Sequence, residues 1–495
     1  MNQQPGIYDL AVIGGGINGV GIAADAASRG LKVALIEKGD LAAATSSSSS
    51  KLIHGGLRYL ETREFKLVRK ALKESELLVN LAPHLVKPFP IYIPYQPHHR
   101  PWWMIRAGLF FYNHLASRPH YQSASGIRFT EDSPLVSDLS TGFRYSDAQV
   151  DDARLVVMNA RQAARYGAEI FTYRQCVGLG EDNGTWRVES RGSGDGSTSV
   201  LHARVVVNAT GPWVSNLIAE STPATPRHQV RLVKGGHLVI PRLYPQKQGY
   251  LLQNDDGRVV FVLPFLEDFT LIGTTEVEID SPTDSPEVSE PETCYLIDVV
   301  NKYFRCQTSV DQVVYSYSGI RPLMDSREGS ATRASRDFKL EFEDTNLPLL
   351  SVYGGKVTTY RLLALQAVER LRSWFPHMPI SRSDSVVLPG GELESLEKLG
   401  RELTQVAPWL DAFTRQRWIN NYGSLALELA TYGNAATGAH DFGFGLTQKE
   451  VDYLVEQEWA VTAADILWRR TKLGLYFNSV QTAALSAHLA AVSLK

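Results

Sequence analysis

The stretch from Tyr8 to Glu37 constrains this chain more than any other. Tyr8 to Ile13 is a short apolar run, Gly14, Gly16 and Gly19 follow in GxGxxG spacing, and Ile17, Val20, Gly21, Ala24 and Ala27 then recur at helical intervals. Gly30 reads as the helix stop, and residues 31–36 read as a second buried strand ending at Glu37. Strand, glycine turn, helix, strand and acidic residue, in that order, predict a parallel βαβ unit that binds a dinucleotide. In such a unit the first glycine permits the tight turn, and the second lets a pyrophosphate approach the N–H groups at the helix N-terminus. The third lets the helix pack on the strand, and the acidic residue reaches the ribose hydroxyls. The motif by itself leaves NAD and FAD open.

The rest of this α/β fold returns in pieces. Residues 64–81 and 150–166 carry helical periodicity, and residues 205–208 form a buried strand running into Ala209-Thr210-Gly211-Pro212. Residues 349–353, the Gly354-Gly355 turn and a helix over 359–372 close the nucleotide-binding part. Between about 229 and 318 the pattern alternates, which predicts an antiparallel sheet and a substrate domain. Pro83, Pro88, Pro90, Pro94 and Pro97 predict an irregular stretch. Beyond Pro389-Gly390-Gly391 the segments 393–403, 415–419, 424–431, 448–457, 463–472 and 480–492 read as helices. The expected division is a discontinuous nucleotide-binding domain over 1–90, 145–225 and 319–385, a substrate domain over 91–144 and 226–318, and a C-terminal helical domain over 386–495.

Composition excludes several classes. Fifty Lys plus Arg against fifty-three Asp plus Glu give a net charge of −3, so no global field recruits nucleic acid, and an anionic ligand must be caught locally. Cys176, Cys294 and Cys306 stand far apart, which argues against a disulfide framework and for a reducing compartment. The twelve histidines are scattered, and His98-His99 has no further ligand at a recognisable spacing, so no metal site is expected. The first residues show no export-signal pattern. Residues 102–115 are interrupted by Arg106, Asn113 and His114, short of the roughly 20 apolar residues a spanning helix needs. Residues 100–118 combine Trp102, Trp103, Phe110 and Phe111 with flanking arginines, the composition of an interfacial helix or of a helix packed against protein. Trp468, Arg469, Arg470 and Lys472 form a second basic-aromatic group, for which a solvated helix face is the simpler expectation.

The segment ATSSSSSKLIHGGLRYLE, from Ala44, is the most informative after the glycine motif. Its serine run sits inside a folding unit, where a flexible linker is out of place, so its hydroxyls and N–H groups are candidates to line a dinucleotide. His54 and Arg58 are four residues apart and share a face if the segment is helical. An imidazole of pKa near 6.5 suits proton exchange near neutrality, whereas an arginine suits a fixed charge clamp. Arg58, Arg321 and Lys356 supply three cations from distant stretches for a phosphate dianion, and Thr358 adds a hydroxyl.

Together with GGGINGVGIAADAASRG, VDDARLV, NATGPW, IGTTEVE, YSGIRPL, YGGKVTTYR and ADILWRRTKLG, that segment resembles the FAD-dependent glycerol-3-phosphate dehydrogenase family of the D-amino-acid oxidase superfamily. The resemblance covers nearly the whole chain and implies a Rossmann-like, glutathione-reductase-type FAD domain, an antiparallel substrate domain and a helical C-terminal appendage. It implies FAD as cofactor, held by Gly14, Gly16, Asn18, Gly19, Glu37, Thr45, Ser46, Ser47, Lys51, Leu52, Gly55, Gly56, Ala209, Gly211, Gly319, Gly355 and Val357. It also implies oxidation of glycerol 3-phosphate to dihydroxyacetone phosphate, with Arg58, Tyr59, Lys356, Thr358 and Arg336, the last in SRDF, around the substrate. His54 is the expected proton acceptor and Arg321 the second choice. Electrons leave for a membrane quinone in the family's dehydrogenases and for oxygen in its oxidases. The expected setting is the cytoplasmic face of the inner membrane, with peripheral attachment and a homodimer. Amine oxidation would need a carboxylate clamp instead of three cations. A non-catalytic flavin scaffold or redox sensor is the reading from another class.

Overall fold

The computed structural model describes residues 6–221, 230–283, 286–324, 337–343, 345–432 and 440–493. Its first sheet is built on Tyr8–Ile13, paired in parallel with Val33–Ile36 on one side and Thr198–Asn208 on the other. Leu10 and Val12 face the helices and Ala11 faces a layer with Leu179, Trp186 and Val188, so both faces are covered, which is why the strand reads as a continuous apolar run. The strand order is Lys339–Glu343, Leu349–Tyr353, Thr198–Asn208, Tyr8–Ile13, Val33–Ile36, Glu169–Phe171, with the antiparallel Arg174–Asp182 and Thr185–Gly192 strands attached to Thr198–Asn208. Helices Ile17–Ser28, Asp152–Arg165 and Tyr360–Glu369 pack together, with Gly21 admitting the Tyr360 ring. Asp151 caps Asp152–Arg165 by accepting the Arg154 N–H.

The second sheet runs Val277–Ile279, Val230–Pro241, Phe269–Gly273, Val259–Phe265, Gly249–Gln253, Val86–Pro94, Thr141–Val150, Leu52–Ile53. Tyr315–Met324 pairs with Val230–Pro241 along its length, and Ser125–Arg128 pairs with Thr141–Val150. Helix Glu290–Tyr303 lays Leu296, Val299, Val300 and Tyr303 into a core shared with Leu238, Tyr250 and Val262.

The proline-rich stretch expected to be irregular is therefore the strand Val86–Pro94, nine residues long. Pro88, Pro90 and Pro94 occupy alternate positions, so their missing donors fall on one side of the strand and pairing with Thr141–Val150 survives. The divisions expected at 90/91, 144/145 and 318/319 fall inside Val86–Pro94, Thr141–Val150 and Tyr315–Met324. Sheet membership is decided by pairing partners far along the chain, which local punctuation does not report.

The C-terminal helices are Leu396–Val406, Ala412–Tyr422, Leu425–Thr431, Gln448–Glu458 and Ser479–Ser493. Ser395, Asp411 and Thr447 cap three of them. Their buried residues, Leu403, Trp418, Leu429 and Leu454 among them, are continuous with the core beneath the first sheet. Buried Glu450 accepts from Trp418 Nε1 at 3.0 Å and Tyr422 OH at 2.6 Å and pairs with Arg417.

Two surface expectations change. Helix Trp102–His114 buries Ile105, Leu109 and Tyr112 and exposes Trp103, Arg106, Phe110 and Phe111, so each of the two readings describes one face. The Trp468–Lys472 group is not a solvated face. Arg470 is fully buried on Asp40, Lys472 pairs with Asp151, and Trp468 stacks on Tyr315 at 4.1 Å. Two of its acidic partners, Asp40 and Asp151, lie more than 300 positions away, beyond the reach of any periodicity argument, while Asp465 is four residues from Arg469. Among the described residues no helix is long and apolar enough to cross a membrane.

Candidate active site

A cavity of about 730 Å³ opens between the two sheets. One wall is the carboxyl end of the parallel strands, Ile13–Gly14, Ile36–Glu37 and Ala209, and the other carries Tyr145, Asp147, Phe261 and Arg321 from the second sheet. This is where an open α/β sheet places its ligand.

The dinucleotide end is built from the glycine turn. Gly14 has φ +112°, and a Cβ there would stand 2.6 Å from the Ala209 carbonyl oxygen, so neither the turn nor the approach tolerates a side chain. Gly19 lies off the cavity wall, against the Gly14 carbonyl, where it serves helix packing. Glu37 accepts from Gly15 N at 2.6 Å and Gly39 N at 2.9 Å, and its burial raises the carboxyl's pKa. Ser46 Oγ accepts from Ile17 N at 2.9 Å. Asn18 donates to the Gly354 carbonyl at 3.2 Å, while its buried Oδ1 has no partner among the described residues and sits in the cavity lining.

The serine loop is a bridge between the sheets. Thr45 Oγ1 donates to the Ile320 carbonyl at 2.7 Å. Ser49 donates to Asp152 from both N and Oγ, and Ser50 Oγ bonds His237 Nε2 at 2.9 Å. Of the expected cofactor residues in the segment, Thr45, Ser46, Leu52 and Gly56 line the cavity, whereas Ser47, Lys51 and Gly55 do not. The Lys51 ammonium is spent on Asp152, at 2.8 and 2.9 Å, and on the Ser47 carbonyl. Ala209, Gly211, Gly319, Gly355 and Val357 all reach the lining.

The helical premise for His54 and Arg58 fails. Leu52–Ile53 is extended, Gly56 turns left-handed, and only Leu57–Leu60 is a short 3₁₀ turn. His54, Arg58 and Tyr59 nevertheless all line the cavity. Thr358 fixes His54 from behind, accepting from His54 N at 3.2 Å and donating to His54 O at 3.3 Å. The His54 ring tilts against Phe261 at 6.4 Å. Lys356 Nζ stands 3.9 Å over the Tyr59 ring. Arg321 donates to Thr274 Oγ1 at 3.1 Å and lies 3.7 Å from Glu276. Arg336 lies outside the described residues.

Sequence reasoning missed a buried group behind His54. Gly55 N donates to Tyr112 OH at 2.8 Å, and Tyr112 donates to Asp147 Oδ1 at 2.5 Å. Burial outweighs Arg118, 3.9 Å away, and pushes the Asp147 carboxyl up to about 6. His237 was also missed. Its ring stacks on Tyr317 at 4.9 Å, and burial holds its pKa well below the usual histidine value. Both lie on strands whose pattern announces burial but not polarity; Glu276, in IGTTEVE, was legible as part of a string only. Away from the cavity, Asp255 joins His98 and His99 at 3.6 and 4.0 Å, with Lys302 on the same carboxylate at 3.2 Å.

These features fit FAD. The glycine cradle excludes a Cβ, the Asn18 oxygen lacks a partner, and the volume lies in the upper part of the range of roughly 300–1,000 Å³ typical of ligand pockets.

The chain matches the family model described as "FAD dependent oxidoreductase" over residues 9–361 and that described as "C-terminal domain of alpha-glycerophosphate oxidase" over 381–493. It is 47% identical to a glycerol-3-phosphate dehydrogenase of Pseudomonas aeruginosa, over 98% of this chain and 95% of that one. It is 43% identical to a D-erythritol 1-phosphate dehydrogenase of Brucella abortus, over 97% of each. Among solved structures it is similar to the glycerol-3-phosphate dehydrogenase of Bacillus halodurans complexed with FAD, with a TM-score of 0.75, 25% identity, and coverage of 98% of this chain and 94% of that one.

Proposed function

The chain belongs to the FAD-dependent oxidoreductase family, and from that premise we propose that it oxidises sn-glycerol 3-phosphate to dihydroxyacetone phosphate and passes the electrons to a membrane quinone. The observation that carries this reading is that Arg58, Arg321 and Lys356, from three distant segments, all line the one cavity that His54 lines. Three fixed cations suit a phosphate dianion and exceed what a carboxylate substrate needs.

FAD, when bound, supplies the hydride acceptor for the substrate C2 carbon. The chain supplies the rest. The cations hold the phosphate, and the Tyr59 ring under Lys356 restricts where that ammonium can point. His54 accepts the C2 hydroxyl proton, and Thr358 keeps its backbone in place. Glu276 beside Arg321 holds that guanidinium in orientation. Two electrons and a proton leave with the hydride, the second proton goes to the imidazole, and the secondary alcohol becomes a ketone.

Trp103, Phe110 and Phe111 project from helix Trp102–His114 beside exposed Arg106, and Phe65 meets Phe111 edge-on at 5.7 Å. This aromatic-basic face supports docking on the cytoplasmic membrane, where the quinone resides. D-erythritol 1-phosphate, which shares the phosphate and a secondary alcohol, is the second substrate reading, favoured by the Brucella relative.

The test is steady-state turnover with glycerol 3-phosphate on vesicles of bacterial lipid containing quinone, with oxygen uptake followed in parallel. Quinone reduction far above peroxide formation supports the proposal. Equal turnover with oxygen alone would make the protein an oxidase, and a higher kcat/KM for D-erythritol 1-phosphate would reassign the substrate.

A further inference from the structure

The helical region touches the cofactor loop through a set of charges that the chemistry above does not use. Residues 465–470 form a π-helical turn, and Lys472 follows in the left-handed region at φ +58°. Both are costly local geometries that persist where surroundings enforce them. Their effect is to aim successive cations at two places. Arg470 grips Asp40 with both ends of its fork, at 2.7 and 2.7 Å, and Arg469 adds a further bond to the same carboxylate. Lys472 pairs with Asp151, whose neighbour Asp152 holds Lys51 at 2.8 Å and Ser49 Oγ at 2.7 Å. Asp40 begins, and Lys51 ends, the loop that presents Ala42 to Ser46 and Ser48 to Ser50 to the cavity. One short segment therefore bonds one end of this loop directly at Asp40 and reaches the other, Lys51, through the adjacent Asp151 and Asp152.

The charges balance. Lys51 and Lys472 face Asp151 and Asp152, all buried or nearly so, and removing one cation leaves two adjacent carboxylates sharing one partner. Asp151 also accepts the Arg154 N–H at 3.0 Å, so a shift there disturbs the start of helix Asp152–Arg165.

We propose that residues 465–472 clamp the flavin-binding loop, with Arg470 and Lys472 acting as positioning residues for FAD. The inference rests on FAD binding and is independent of which alcohol is oxidised.

The test uses the full-length holoenzyme and the release of FAD, followed as the recovery of free-flavin fluorescence on dilution below the melting temperature. Arg470→Met and Lys472→Met are expected to release FAD at least about tenfold faster, and Lys472→Arg to restore most of the retention. The control is Arg417→Met, which breaks the buried Arg417–Glu450 pair within the helical region. It is expected to lower the melting temperature and leave FAD release within about twofold of wild type. If the methionine variants do not accumulate folded, Arg470→Lys carries the test, since it keeps the charge and loses one of the two Asp40 bonds; several-fold faster release is expected. Wild-type release in the Arg470 and Lys472 variants, or equally fast release from Arg417→Met, would overturn the clamp and leave only a general stabilising role.

Discussion

His54 and the cations Arg58, Arg321 and Lys356 line one cavity, and substitutions should separate the roles proposed for them. His54→Gln keeps a hydrogen-bonding side chain and loses the proton acceptor, so kcat should fall about 10²- to 10⁴-fold with FAD retained, as stopped-flow flavin reduction would show. Lys356→Met should chiefly raise KM for the phosphate substrate, and a fall in kcat at unchanged KM would remove it from ground-state phosphate binding. Asp147 gives a pH signature. Its folded pKa of about 6 lies above the unfolded value near 3.8, so the folded state holds the extra proton between them. Stability from this group is therefore highest below pH 4 and falls as pH rises to 6, by about 3 kcal/mol if the whole shift is expressed. Denaturant titrations should show Asp147→Asn with a flatter profile across that window; an unchanged profile would contradict the assignment. Places in the cavity lining were legible where spacing and chemistry coincide, as at Gly14, Glu37 and Lys356. Lys51 misled because its sequence neighbours are serines while its partner, Asp152, is 101 positions away.

Helix Trp102–His114 shows why one element carried two readings. Its inner face packs Ile105 and Leu109 and sends Tyr112 to Gly55, next to His54, while its outer face keeps Trp103, Phe110 and Phe111 in solvent. Replacing those three aromatics by serine should cut binding to anionic vesicles at least several-fold and leave anaerobic flavin reduction unchanged. Co-sedimentation equal to wild type would refute the docking face. The strands Tyr8–Ile13 and Leu349–Tyr353 agree with their expected bounds because buried parallel strands are short apolar runs between glycine signals. Val86–Pro94 does not, because its three prolines, flanked by Pro83 and Pro97, hide a strand whose pairing tolerates them. The left-handed Gly56 removes the helical condition under which His54 and Arg58 share a face, yet both line the cavity, as the resemblance implies.

The two sheets are each assembled from segments hundreds of residues apart, and the helical region shares the core of the first. The glycine motif revealed the fold class, but the interleaving depends on long-range pairing that local pattern cannot encode. The cavity exists because this interleaving brings the Tyr8–Glu37 unit, the serine loop, Arg321 and Lys356 to one place. As proposed, this cavity reduces its flavin with a phosphorylated secondary alcohol. Anaerobic mixing of the holoprotein with glycerol 3-phosphate, watching the flavin band near about 450 nm, tests it most directly. Bleaching is expected with glycerol 3-phosphate, and none with glycerol or amino acids. An unbleached band in a folded, flavin-loaded sample, or bleaching by an amino acid instead, would contradict it.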